Sequence, residues 1–317
     1  MIDLVIVGAG PAGLACAVAA QKAGLSYLLV DKGTIVDAIR RFPNELVFFS
    51  TSELLEVGDV PFLTGGFRPT RVELLRYYQK VAEVHGLNLK LYTKVNALRK
   101  LEDGFVVETD YENLRTRRVV IATGYFDTPA PFDLPGANLP KVKRYYDEPY
   151  AYYGLDVAVV GGSNSAVEVA LDLYRHGSRV TLIHRGSTLS DRIKYWVRPD
   201  IENRIARGEI TALFETVLEE IRPDAVVTRG KHSGEIKNDG VFVMIGYHPE
   251  NKLLEAVGAA IDQESLAPVH NSQTFETSVR GLYVAGSSVA GKFNNKIFIE
   301  NGRRHGKQIV EAILRDN

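Results

Sequence analysis

The chain has 317 residues, room for about two domains with separate cores. Its 38 Lys and Arg against 39 Asp and Glu leave a net charge of −1, which offers no electrostatic footprint for nucleic acid or an anionic membrane surface. A single cysteine excludes an intrachain disulfide and fits a reducing, cytoplasmic setting; the seven histidines show no metal-ligand spacing, so no metal is expected. No apolar run approaches the roughly 18 residues needed to span a bilayer, and a strand expected straight after Met1-Ile2-Asp3 leaves no room for a signal peptide.

In chain order, Leu4-Val5-Ile6-Val7 predicts a central parallel strand buried on both faces. Gly8-Ala9-Gly10-Pro11-Ala12-Gly13 then predicts a tight turn into a helix. The first glycine allows the turn, the second lets the backbone approach a pyrophosphate, and the third lets helix pack on strand. The helix start offers free N–H groups and a positive dipole end to phosphates. The next strand ends at Asp31, where a carboxylate accepts hydrogen bonds from an adenosine ribose. An amphipathic helix is expected over Val72–His85, strands over Leu89–Tyr92 and Phe105–Glu108, and a buried strand at Val119–Ala122 running into Thr123-Gly124. A proline-rich stretch (Pro129, Pro131, Pro135, Pro140) suits a domain crossover.

The same phrase then returns in register, 153 residues on: Gly8 maps to Gly161, Gly24 to Gly177 and Asp31 to His184. After Val157-Ala158-Val159-Val160 comes Gly161-Gly162-Ser163-Asn164-Ser165-Ala166, with small residues Ser163 and Ala166 in place of the second and third glycines. Where the first copy has Asp31, the second has His184-Arg185. A carboxylate there repels a 2′-phosphate, whereas a guanidinium grips it in a bidentate fork, which favours NADPH over NADH. Arg192 and Lys194 are candidates for a second cation at that phosphate or toward an acidic substrate. Tyr145, Tyr146, Tyr150, Tyr152 and Tyr153 are expected as packing between the domains. This second unit spans about 155–246, and the chain closes with a strand at Gly281–Gly286 and a final helix from near Ile297 to Arg315. The expected architecture is α/β, two Rossmann-like three-layer domains with the second inserted into the first: 1–123, 124–246 and 247–317. Two such turns imply two nucleotide cofactors held at once, and electron transfer between them.

Together with Ala122-Thr123-Gly124, Asn164-Ser165-Ala166, His184-Arg185 and Ile245-Gly246-Tyr247-His248-Pro249, these marks resemble the thioredoxin reductase class of two-dinucleotide-domain flavoproteins. Phe48-Phe49-Ser50-Thr51-Ser52-Glu53, Leu55-Glu56-Val57-Gly58-Asp59-Val60 and Ile297-Phe298-Ile299-Glu300-Asn301-Gly302-Arg303 are similar to the YpdA family of bacillithiol disulfide reductases. The resemblance covers essentially the whole chain. It implies FAD in the first domain and NADPH in the inserted one, a homodimer, and a small-molecule or small redox-protein electron acceptor. It places FAD against Gly8, Gly10, Pro11, Ala12 and Gly13, with Asp31 at the ribose, Val95 facing the adenine, and Lys32, Phe49, Ser50, Thr123, Gly124, Gly286, Ser287, Lys296 and Ile297 around the rest. It places NADPH on Gly162, Ser163, Asn164, Ser165, His184, Arg185, Arg192 and Lys194. Ser287 stands where the wider class has an aspartate on the ribityl chain. The last helix, beginning near Lys296-Ile297, would aim its positive end at the flavin N1–C2=O edge.

Two absences bear on mechanism. The thioredoxin reductase Cys-x-x-Cys is missing, with Pro149-Tyr150-Ala151-Tyr152-Tyr153 in that region, and the position where the YpdA family commonly has a cysteine beside the flavin is Ala12. Cys16 lies one turn further along the same helix, about 6 Å deeper, and is expected as a buried, weakly acidic thiol. No protein side chain is therefore assigned as catalytic; the flavin carries the chemistry. A flavin monooxygenase, a ferredoxin–NADP reductase-like enzyme and a non-catalytic redox sensor are the alternatives, the first disfavoured because Leu139–Tyr146 lacks the Phe-x-Gly-x-x-x-His element of that family.

Overall fold

The computed structural model describes residues 1–293 and 296–316. In chain order the elements are β1 (Ile2–Val7), α1 (Pro11–Lys22), β2 (Tyr27–Val30), α2 (Asp37–Arg40), α3 (Arg71–His85), β3 (Leu89–Lys90), β4 (Val95–Leu101), β5 (Gly104–Thr109) and β6 (Asn113–Ile121). There follow β7 (Val142–Lys143), β8 (Asp156–Val160), α4 (Asn164–Arg175), β9 (Arg179–Ile183), α5 (Arg198–Ala206), β10 (Thr211–Leu213), β11 (Thr216–Ile221), β12 (Ala225–Gly230), β13 (Gly234–Lys237) and β14 (Gly240–Val243). The chain ends with α6 (Lys252–Glu255), β15 (Leu282–Val284), α7 (Ile299–Gly302) and α8 (His305–Arg315). It divides into two compact units: Met1–Arg40, Glu45–Thr128 and Tyr247–Asn317 form one, and Arg41–Asn44 with Pro129–Gly246 form the other.

The first unit is built on a seven-stranded sheet in the order β3-β2-β1-β6-β5-β4. β1 pairs in parallel with β2 and β6, and Leu4, Val5 and Ile6 are fully buried, as an apolar run without alternation requires. β6 serves two partners on the edge away from β1: its first half pairs antiparallel with β5, its second half in parallel with β15. α3 occupies the predicted span and begins with a capping box between Thr70 and Glu73. The final helix departs from expectation. It starts at Ile299, and Arg303-Arg304 separate α7 from α8. Asn301 explains the late start: its side chain accepts from Phe298 N at 2.8 Å and donates to Lys296 O at 2.9 Å, which holds Phe298 extended just before the first turn.

The second unit has a wholly parallel sheet, β10-β9-β8-β14-β7, and a three-stranded antiparallel sheet, β11-β12-β13. Strand alternation sorts its core into two layers. Val157, Val159, Leu182 and Phe242 face Val167, Ala170 and Leu171 of α4, while Ala158, Ile183, Val241 and Val243 face Leu218, Ile221 and Val226 of the antiparallel sheet. Two of the five tyrosines correct the expectation made for them. Tyr146 and Tyr152 pack their rings on Phe242, with centroids 5.3 and 4.9 Å away, inside this unit, and the Tyr146 hydroxyl donates to Asp172 at 2.5 Å. Because Phe242 is fully buried in that aromatic cluster, Phe242→Ala should lower stability by about 3–5 kcal/mol, read as a loss in denaturation midpoint. A loss under about 1 kcal/mol would mean that the cluster collapses freely around the gap. No helix among the described residues is long and apolar enough to cross a membrane.

Candidate functional site

The glycines of the first turn answer to different demands. Gly8 has φ +113°, and a Cβ on it would lie 2.4 Å from Ala122 O. A Cβ on Gly13 would lie 1.8 Å from Gly8 O. Both are dictated by the protein itself. Gly10 is not: its φ of −71° and ψ of 175° suit any residue, and a Cβ there meets nothing within 4 Å. The space a side chain would fill opens at the start of α1, which has Pro11 at its first position and no side-chain cap. A bare glycine facing open space before an uncapped helix start is what a pyrophosphate requires.

The surrounding segments are tied to this turn by named bonds. Asp31 accepts from Ala9 N at 2.6 Å and from Gly33 N at 2.7 Å. Burial pushes its carboxyl upward, opposed by those amides and reinforced by Asp37 and Asp127. Each carboxylate oxygen keeps acceptor capacity for a ribose hydroxyl. Tyr92 N donates to Gly33 O and Thr93 N to Asp31 O, which brings Val95 at the head of β4 alongside; Lys32 pairs with Asp127 at 2.8 Å. Gly124, with φ +70°, donates its N–H to Ser288 Oγ at 2.9 Å, and Ser287 Oγ lies 3.6 Å from where a Gly124 Cβ would be. Gly286, with φ +67°, donates to His305 Nδ1 at 3.1 Å, and Ala12 leaves no room for a side chain on it. Gly8–Gly13, Asp31, Thr123-Gly124 and Gly286-Ser287 thus gather beyond the carboxyl ends of β1, β2, β6 and β15. Phe49 and Ser50 join the C-terminal segment: Ser50 donates its hydroxyl to Glu300, and Phe49 meets Phe298 edge-on with centroids 5.8 Å apart. Lys296 is exposed, with its ammonium 5.2 Å from the Phe293 ring centroid, and Ile297 is half-buried next to it.

Sequence reasoning passed over Ser288 and His305. Ser288 differs from Ser287 only in which hydroxyl turns inward, which the sequence does not encode locally. His305 did carry a signal, a polar residue on the buried stripe His305, Ile309, Ala312, Ile313 of α8.

The second turn repeats the first-glycine constraint, since a Cβ on Gly161 (φ +144°) would lie 2.5 Å from Met244 O. Ser163 caps α4 without a side-chain hydrogen bond to it, and Ser165 is exposed on its first turn. Asn164 fastens the following loop, donating to Arg192 O and accepting from Lys194 N, both at 2.9 Å; Ser190 N donates to Gly162 O at 2.9 Å. The His184 ring lies on Gly162, where a Cβ would come within 2.5 Å of it. Burial, and next the Arg185 charge, push its pKa down, so it acts as a neutral spacer. The cations divide. Lys194 pairs with Glu168 at 2.6 Å, whereas the guanidinium groups of Arg185 and Arg192 are exposed and have no ion pair among the described residues.

Cys16 is fully buried on α1, and burial pushes its thiol up to about 12. Among the described residues no three His, Cys, Asp or Glu side chains are grouped to hold a metal. A cavity of about 360 Å³ in the first unit, lined by residues including His270, Glu276 and Arg315, contains none of the predicted site residues.

The pyridine nucleotide-disulphide oxidoreductase family matches residues 5–286. Bacilliredoxin reductase Bdr of Bacillus subtilis (strain 168) is 41% identical over 98% of this chain and 97% of its own length. The structure of bacillithiol disulfide reductase Bdr (YpdA) from Bacillus cereus superposes with a TM-score of 0.97 at 38% identity, covering 100% of this chain and 99% of that one. Its counterpart from Staphylococcus aureus gives 0.95 at 35% identity, with the same coverage.

Proposed function

The chain belongs to the pyridine nucleotide-disulphide oxidoreductase family, and from that premise we propose that it is an NADPH-dependent FAD enzyme that reduces a low-molecular-weight disulfide of the bacillithiol type. The disulfide reading is supported by the likeness to the Bdr enzymes, and the observation that carries the FAD assignment is Gly10, a glycine that neither its backbone angles nor its protein neighbours demand. FAD is assigned to the first unit and NADPH to the second. When bound, these two groups supply the hydride and electron chemistry. The protein's part is to bind and orient. The first turn of α1 would hold the FAD pyrophosphate, the spare lone pairs of Asp31 the ribose, and Ser287 and the Gly124 turn would flank the remainder. In the second unit Ser163 and the start of α4 would hold the NADPH pyrophosphate, with Arg185 and Arg192 free to take the 2′-phosphate. Membership of an enzyme family sets aside the non-catalytic sensor.

The state of Cys16 supports direct reduction of the acceptor. The chain has no second cysteine, and a thiol held protonated to about pH 12 does not attack a disulfide. No thiol relay is available from the protein, so no protein disulfide would stand between a bound flavin and the acceptor. A reducing cytoplasmic setting agrees with that single buried thiol. A homodimer is part of the reading, supported by the exposed Leu63 and Phe67 on one loop of the first unit.

The test is NADPH oxidation by the holoenzyme with an acceptor panel of bacillithiol disulfide, a bacillithiol mixed disulfide on a bacilliredoxin, glutathione disulfide and quinones. Turnover with bacillithiol disulfide is expected, and Cys16→Ala should change it less than about twofold, as an inert buried thiol dictates. Loss of turnover in Cys16→Ala with FAD retained would establish a thiol step. Turnover with quinones alone would overturn the disulfide assignment.

A further inference from the structure

We infer that His305 is a positioning residue for the flavin, acting through the backbone of Gly286; the inference rests on the assignment of FAD to the first turn. Gly286 begins the segment that meets α1: it has φ +67°, and a Cβ on it would lie 2.8 Å from Ala12 Cβ. Gly302 of α7 presses from another side, so close that a Cβ on Gly302 would lie 3.3 Å from Gly286 Cα. A glycine squeezed this closely still has a backbone N–H to satisfy, and the group that satisfies it is buried His305 Nδ1, at 3.1 Å. The ring cannot swing away. It lies face to face on Phe275, centroids 4.0 Å apart and planes 19° from parallel, and Phe275 stacks in turn on His270 at 5.8 Å. One residue on, Gly306 approaches α1 so closely that a Cβ would fall 2.5 Å from Cys16 N. His305 therefore links a helix locked onto α1 to the turn that carries Gly286 and Ser287.

The bond also fixes the ring's chemistry. To accept from Gly286, Nδ1 must be bare, so the proton sits on Nε2 and the imidazole is neutral. Burial, with His270 of the adjacent hairpin as the second cause, lowers its pKa to about 4. α1, against which Gly306 packs, carries no charged residue before Lys22; on its own segment Arg304 and Lys307 are exposed, and Arg303 donates to Glu53 O and Glu56 O. Protonation would turn the acceptor into a donor facing the Gly286 N–H, so the restraint holds above about pH 4 and is lost below it.

The experiment follows FAD release by flavin fluorescence against pH in the holoprotein, alongside thermal unfolding of the apoprotein. His305→Asn places an amide oxygen near the site of Nδ1 and does not titrate; His305→Phe keeps the stack on Phe275 and removes the acceptor. The expected results are FAD affinity about tenfold weaker at neutral pH in His305→Phe, and near-normal affinity in His305→Asn with the release inflection close to pH 4 diminished relative to wild type. Asp31 titrates in both proteins and cancels in that comparison. Wild-type affinity in a folded His305→Phe, or a His305→Asn profile superimposable on wild type, would overturn the role of His305. If His305→Phe fails to fold, the His305→Asn profile decides alone. Wild-type protein that takes up no FAD would instead overturn the cofactor assignment, and this inference with it.

Discussion

Gly10→Val will leave the protein folded and strip it of flavin. The two halves of that result have separate causes. Valine is at home at φ −71° and ψ 175°, and its Cβ has no protein atom within 4 Å, so the chain gives up no packing. The added methyls occupy the space before α1, and a pyrophosphate held off the amides there loses several charge-assisted hydrogen bonds together. Affinity for FAD should fall on the order of a thousandfold, equivalent to about 4 kcal/mol. Flavin absorbance of the purified protein and thermal unfolding of its apo form check both halves. Gly13→Val is the control of opposite character: with a Cβ 1.8 Å from Gly8 O, it should cost the fold itself. A yellow Gly10→Val protein would remove the first turn from the cofactor assignment.

Arg185→Ala should raise the KM for NADPH by about 10- to 100-fold while changing that for NADH less than about twofold, because only one of the two coenzymes carries a 2′-phosphate. The size follows from an exposed guanidinium that no carboxylate of the described residues engages, so its donors are free for a ligand. Arg192→Ala should show the same selectivity, more weakly, since its backbone rather than its side chain is what Asn164 anchors. Lys194→Ala is expected to do least, its charge being met by Glu168 at 2.6 Å. Equal losses with NADPH and NADH in Arg185→Ala would assign it to general binding rather than to coenzyme choice.

Much of this architecture was legible in the sequence because it rests on local rules. The apolar runs of β1, β6 and β8, the paired glycine turns and the stripe of α3 are each set by neighbours within a few residues. What escaped was set by distant partners. The antiparallel sheet β11-β12-β13 covers one face of the parallel sheet, and its short strands are fixed by the packing of Leu218 and Val226 on Val241 rather than by a local signal. The tyrosines suggested an interface, yet Phe242, far along the chain, gathers Tyr146 and Tyr152 into the core of one unit. At the candidate site the residue types were readable but their engagements were not. Nothing in the string says that Lys194 is neutralised by Glu168, that His184 lies on Gly162 as a neutral ring, or that Ser288 rather than Ser287 receives the Gly124 amide.

The burial of the lone sulfhydryl has a consequence for the conditions under which such a catalyst works. Peroxides and electrophiles inactivate thiol-dependent reductases by driving an exposed thiolate up the ladder from sulfenic to sulfonic acid. A sulfur sealed on the buried face of α1 and held protonated offers them no foothold. With no reactive thiol among its side chains to lose, its activity should survive peroxide treatment that inactivates a thiol-dependent reductase.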